Sequence, residues 1–174
     1  MEYKASLDKT SKIITILITV LFLSIATYNF WLIYTGSGTS INITANIASV
    51  FLILGIYSFC YLFRPLGYVV GKNRLTIKRP LKNYHLDIDK IKNVSLASEE
   101  TMKWTARTFG VGGLFGYYGK FSNQTFGGMT WFATQRKNYL VLETTSNRKI
   151  VLTPDDTEMV KEIEELIEKK QSQL

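Results

Sequence analysis

IITILITVLFLSIATYNFWLIYTGSGTSINITANIASVFLILGIYSFCYLF, residues 13–63, carries no charged side chain, and its one soft polar break is Thr35-Gly36-Ser37-Gly38-Thr39-Ser40. At about 1.5 Å per residue, a single helix of this length would overshoot the roughly 30 Å hydrocarbon core of a bilayer. The stretch therefore reads as two crossings joined by a turn, at about 13–34 and about 44–63. Tyr28, Trp31 and Tyr34 suit an interfacial aromatic belt at the far end of the first crossing. Tyr57, Tyr61 and the Arg64-Pro65 pair mark the exit of the second. Asn42, Thr44 and Asn46 blur its start, where they suit the headgroup level or a helix cap.

Working outward, Lys4, Lys9 and Lys12 precede the first crossing, and Arg64, Lys72, Arg74, Lys78, Arg79 and Lys82 follow the second before the first acid, Asp87. The connecting loop has no charge. The positive-inside bias then places both flanks in the cytoplasm. A cleavable signal is the rival reading of the first segment, but the uncharged run from Ile13 to Tyr34 exceeds the 7 to 15 apolar residues typical of one. With no intramembrane charge, nothing marks an ion path or proton relay, which argues against a transporter. The single cysteine, Cys60, lies in the second apolar segment, so no intrachain disulfide forms.

The net charge of +7 belongs mostly to the rest of the chain, because 18 of the 21 Lys and Arg residues follow Phe63. Roughly 110 residues remain there, enough for one domain. The expected division is residues 1–64 for the N-terminal tail and membrane hairpin and 65–174 for that domain. Strand periodicity predicts a hairpin of Leu66 to Val70 and Arg74 to Lys78 around Gly71-Lys72-Asn73, then strands near Leu86–Ile88, Ile91–Val94 and Met129–Gln135. Tyr139–Thr144 and Arg148–Leu152 form a second hairpin whose near-continuous apolar character implies a central position. The last element is an amphipathic helix over about 154–170, with Thr153 as N-cap, Pro154 in the first helical position and Asp156 completing a box-like spacing. The fold class is thus a membrane α-hairpin of two transmembrane helices plus an α+β, mainly-β domain. That domain has about seven antiparallel strands in a bent sheet or open barrel, capped by the C-terminal helix.

The oddest segment is Gly110-Val111-Gly112-Gly113-Leu114-Phe115-Gly116-Tyr117-Tyr118-Gly119-Lys120-Phe121. As a phosphate-binding loop it fails, since Phe121 rather than Ser or Thr follows Gly119-Lys120 and Leu114 stands where the first glycine belongs. A dinucleotide fingerprint fails at Phe115 in the same way. Glycines interleaved with aromatics instead let a chain bend sharply while the rings pack or meet the membrane surface.

Arg107-Thr108-Phe109-Gly110, Gly112-Gly113-Leu114-Phe115-Gly116, Gly119-x-Phe121, Trp131-Phe132-Ala133-Thr134 and Leu152-Thr153-Pro154-Asp155 together resemble the bacterial pleckstrin-homology (PH) domains found behind transmembrane helices. The resemblance covers roughly Pro65 to Lys170. It implies two nearly orthogonal antiparallel sheets closed at one end by a C-terminal helix; with the charge bias already noted, the expected location is the bacterial inner membrane, multi-pass, with both termini cytoplasmic. Eukaryotic relatives of this fold hold phosphoinositide headgroups through basic residues around their first hairpin. Lys72, Arg74, Lys78 and Arg79 are accordingly the candidate lipid or anion contacts, although the preceding strand carries no basic residue. Phe109, Leu114, Phe115, Tyr117, Tyr118 and Phe121 are the candidate interaction loop.

Catalytic machinery is not evident. The one histidine, His85, alternates with Asp87 and Asp89, which would put the three on one strand face, a pattern more often solvated than metal-binding. No serine sits in a nucleophile elbow, and no nucleic-acid-binding motif accompanies the basic charge. No catalytic residue, metal, cofactor, nucleic-acid partner or small-molecule substrate is expected. The expected function is a non-enzymatic, membrane-anchored module for protein interaction or self-assembly, with membrane lipids and a protein partner or second copy as its contacts. Sensing of anionic lipid through the basic hairpin is the alternative.

Overall fold

A computed structural model describes residues 1–36 and 40–171, apart from the side chains of 40–42 and 171. Residues 37–39 of the expected turn, and a capping role for Asn42, lie outside the described residues. In chain order the elements are β1 (Glu2–Lys4), α1 (Lys9–Tyr34), α2 (Ser40–Phe63), β2 (Gly67–Val70), β3 (Arg74–Lys78) and β4 (Tyr84–Asp87). A 3-10 turn (Ile88–Lys90) leads into β5 (Ile91–Ala97), α3 (Glu99–Met102), β6 (Ala106–Gly113) and β7 (Gly116–Asn123). β8 (Gly127–Ala133), β9 (Tyr139–Thr144), β10 (Lys149–Leu152) and α4 (Met159–Gln171) complete the chain.

Two helices are long and apolar enough to cross a membrane, α1 and the Ile43–Phe63 part of α2. Only 6% of the apolar window of each is buried within the protein, so neither is the core helix of a soluble fold. Asp8 caps α1, its carboxylate accepting the Ser11 N–H at 2.7 Å. Where the helices touch, polar groups satisfy one another: Thr19 and Tyr57 hydroxyls lie 2.9 Å apart, and Ser49 donates to Asn29 Oδ1 at 3.1 Å.

The strands form a four-stranded sheet in the order β1-β2-β3-β4 and a six-stranded sheet in the order β5-β9-β10-β8-β7-β6. Ten strands therefore occur among the described residues, against the seven expected. The additions are β1, β6 and β7. One pair also departs from the expected antiparallel pattern: β10 inserts between β9 and β8, antiparallel to the first and parallel to the second. That insertion places the β9–β10 hairpin centrally, and both of its faces are covered. Leu140 and Leu142 enter the main core with Tyr68, Leu75, Ile77, Leu86, Leu152, Met159 and Ile163. Tyr139 and Val141 join a second cluster on the opposite face with Tyr117, Phe121, Met129 and Trp131, under Met102 of α3. Each fully buried Leu or Ile contributes roughly 1.5–3 kcal/mol.

Residues 2–4, assigned by the sequence to the N-terminal tail, pair with β2 in the register Glu2↔Val69, Tyr3↔Tyr68 and Lys4↔Gly67. The helical hairpin thus joins two neighbouring strands of one sheet, and the residues before α1 and after α2 share one side of it. Tyr3 is 8% exposed, and its hydroxyl donates to Glu162 of α4 at 2.7 Å. Burial and that carboxylate push its phenol well above the usual range.

The C-terminal helix begins at Met159, five residues later than the expected start. Thr153 is not its N-cap. The buried Thr153 hydroxyl accepts from Thr134 N–H at 2.9 Å and the Thr153 N–H donates to the Tyr68 hydroxyl at 3.1 Å, so the residue joins the two sheets. Asp155 accepts from the Ser6 N–H and hydroxyl at 3.0 and 2.6 Å, clasping the segment between β1 and α1. The tertiary partners outcompete local capping here.

Candidate functional site at the junction of the domain with the helices

The glycine-aromatic run forms β6 and β7, a hairpin that turns at Leu114-Phe115. Gly110 and Gly119 face each other across it at φ +117° and +121°, a backbone region essentially reserved for glycine. A Cβ at Gly119 would lie 2.4 Å from the Phe109 carbonyl oxygen, so the strands approach this closely only without side chains there.

This geometry carries the tip into the angle between the first two turns of α1 and the last two of α2. The Gly113 carbonyl accepts from Ser11 Oγ at 2.6 Å, and the Phe115 N–H donates to Thr15 Oγ1 at 2.9 Å. Leu114 and Phe115 pack with Cys60, Ile18 and Tyr57. The Phe115 ring stands edge-on to Tyr57 and Tyr61, with centroids 5.2 and 5.5 Å away. The last carbonyls of a helix lack intrahelical donors, and here the domain supplies two. The Tyr118 hydroxyl donates to the Cys60 carbonyl, and the Leu81 N–H donates to that of Leu62 at 3.1 Å. Backbone groups of the tip are thus satisfied by helix side chains.

The N-cap of α1, at this same end of the helix, is tied to the domain as well. Asp8 accepts from the Arg136 N–H at 3.1 Å and from the Tyr117 hydroxyl at 3.3 Å, and burial with this carboxylate pushes the Tyr117 phenol up to about 12.

The six residues of the expected interaction loop therefore divide. Leu114, Phe115 and Tyr118 face the helices, whereas Tyr117 and Phe121 are buried in the second cluster, Phe121 stacked on Trp131 at 4.4 Å. Phe109 alone is exposed, at 76%, on β6, the edge strand of the larger sheet. Trp104, in the approach to that strand, is 83% exposed.

The four basic candidates divide too. Lys72 and Arg74 stand at the turn of the β2–β3 hairpin, whereas Lys78 and Arg79 lie at its other end beside α2, about 13 Å away along the strand. Lys78 pairs with Glu2 at 2.7 Å and Arg74 with Asp87 at 3.9 Å. Arg79 lies over the Phe63 and Phe132 rings, its Nε donating to the Lys82 carbonyl at 2.8 Å, and burial holds its pKa below the usual value. Lys72 has no ion pair among the described residues.

The expected shared face of His85, Asp87 and Asp89 breaks where β4 ends. His85 Nδ1 meets Thr76 Oγ1 at 3.0 Å, while Asp87 pairs with Lys90 at 2.7 Å, which holds its carboxyl below the usual range. Asp89 lies in the 3-10 turn, 3.6 Å from Lys170. Among the described residues, no group of His, Cys, Asp and Glu could hold a metal ion.

Sequence reasoning passed over Ser11 and Thr15, and read Arg64 only as part of the basic flank and as the exit of the second crossing. The signal was there for the hydroxyls: Ser11, Thr15 and Thr19, spaced by four, line one face of an otherwise lipophilic helix.

A family model described as Bacterial PH domain matches residues 66–167. No curated protein and no solved structure matches the chain.

Proposed function

We propose, from the premise that this chain belongs to the bacterial PH domain family, that it is a non-enzymatic module held at the cytoplasmic face of the bacterial inner membrane, where it binds a protein partner or a second copy. The observation that carries this reading is the β6 edge. It ends the larger sheet, and among the described residues no strand pairs with its outer side, where an added extended segment can pair. Phe109 and Trp104 supply large exposed rings beside it, the residue types that anchor interfaces. The rest of the glycine-aromatic run is occupied within the chain.

The lipid-sensing alternative draws less support from the basic hairpin. Arg74 and Lys78 are paired with carboxylates, Arg79 is stacked, and Lys72 and Arg74 stand at the end remote from α2. Positive-inside topology accounts for the charge without a ligand.

Photocrosslinking amino acids placed at Phe109 and at Trp104 of the full chain, in native membranes, test the interaction reading. One reproducible adduct at both positions, absent from a probe at Lys72, is expected. Adducts indistinguishable among the three positions, or none at Phe109 and Trp104, would sink it.

A further inference from the structure

Two arginines stack on aromatic rings where α2 ends, and their hydrogen bonding differs. Arg79 Nε has the Lys82 carbonyl. Arg64 lies 4.3 Å over the Tyr61 ring and 5.4 Å from that of Phe115, yet its Nε is buried with no hydrogen-bond partner. Its guanidinium makes no ion pair among the described residues. The neighbouring Tyr118 hydroxyl is already committed to the Cys60 carbonyl. A guanidinium is always charged, and leaving its buried Nε–H unmet is costly.

Arg64 is half-buried while its Nε is fully buried, so the fork it can present is that of its two terminal NH2 groups. Arg64 follows the last apolar residue of α2 directly, so the fork stands where hydrocarbon gives way to headgroups. The acceptor abundant at that level, with the geometry for a two-pronged contact, is a phosphate. We infer that Arg64 binds the phosphodiester of a bilayer phospholipid, in a seat made jointly by Tyr61 of α2 and Phe115 of the β6–β7 tip. Because the two rings come from different parts of the fold, the bound lipid holds the domain against its helices. The inference rests on the membrane placement of α1 and α2, and not on what binds at β6.

The test uses the full chain in mild detergent, with thermal unfolding followed against added lipid. Phosphatidylglycerol and phosphatidylcholine should both raise the wild-type midpoint, while diacylglycerol with the same chains and inorganic phosphate should not. Arg64→Gln should need roughly tenfold more phospholipid for half the shift, the loss expected for charge-assisted hydrogen bonds. Arg64→Lys should be weakened as well, since an ammonium neither stacks nor forks. The exposed neighbour Lys82→Gln should respond like wild type. An unchanged lipid response in Arg64→Gln, an equal loss in Lys82→Gln, a full shift with diacylglycerol or a full shift with inorganic phosphate would each overturn the site. Should Arg64→Gln not fold, a wild-type response from Arg64→Lys would overturn it instead. Carbonate extraction checks the placement separately: wild-type chain released from membranes would remove the premise, whereas retained chain leaves the lipid titration decisive.

Discussion

Alanine at Gly119 confronts the hairpin with two costs that cannot be relieved together. At φ +121° the backbone conformation alone costs an alanine about 1–3 kcal/mol. The new Cβ would also sit 2.4 Å from the Phe109 carbonyl oxygen and 2.8 Å from Gly110 Cα, both main-chain atoms that no rotamer change can move. The strands must part, giving up one or two ladder hydrogen bonds at about 1 kcal/mol each. The sum, roughly 2–5 kcal/mol, is a large share of the 5–15 kcal/mol that stabilises a typical domain. At about 4 °C per kcal/mol for a domain of this size, Gly119→Ala should lower the unfolding midpoint of the detergent-solubilised chain by about 8–20 °C, read by near-UV circular dichroism. Gly128→Ala in β8 is the control, since no atom lies within 4 Å of its Cβ position; its midpoint should stay within a few degrees of wild type. If the two variants melt together, the close approach of β6 and β7 does not hold the hairpin in shape, and the account of the tip is wrong.

Thr15→Val keeps the shape of the side chain but removes the acceptor of the Phe115 N–H, which should cost about 1–3 kcal/mol and speed hydrogen exchange at that amide; unchanged exchange would show that the tip is satisfied elsewhere. Residues 65–174 alone lack β1 and the buried Tyr3, so they should unfold at lower urea than a chain in which residues 1–8 are rejoined to Arg64 by a flexible linker. The expected difference is about 3 kcal/mol or more, and equal midpoints would mean that β1 adds nothing. Burial pushes the phenols of Tyr68, Tyr117 and Tyr139 up to about 12, whereas in the unfolded chain they ionise near 10. The unfolded chain then sheds these protons first, so their contribution is whole below about pH 10 and falls as pH rises through 12. Phenolate absorbance at 295 nm should rise in part with the loss of circular dichroism; complete titration of all ten tyrosines near pH 10 with the fold intact would contradict the burial.

The parts of the fold that could be read from the chain are those whose signal is local. An uncharged run of bilayer length needs no partner to be recognised, and the alternation of Leu75 and Ile77 or the β9–β10 run declares strands. The candidate site was half legible. The glycine-aromatic run stood out by composition, but glycine spacing carries no strand period, so β6 and β7 stayed hidden and the destinations of their rings could not be assigned. Thr153 misled for a related reason: Thr-Pro-Asp-Asp is a sound helix start locally, and only the approach of Thr134 and Tyr68 gives its hydroxyl and N–H other work.

By itself the sequence determined the two apolar stretches long enough to cross a membrane, the basic flanks, the β-rich domain and the amphipathic last helix, since hydropathy, charge and periodicity are properties of neighbours along the chain. The tertiary structure alone decided that Glu2–Lys4 closes a sheet across the helical hairpin, that the tip at Leu114-Phe115 seats between α1 and α2, and that the buried Nε of the stacked Arg64 has no acceptor among the described residues. A three-residue strand, a glycine turn and a lone arginine draw their energies from residues tens of positions away, and only folding brings those together.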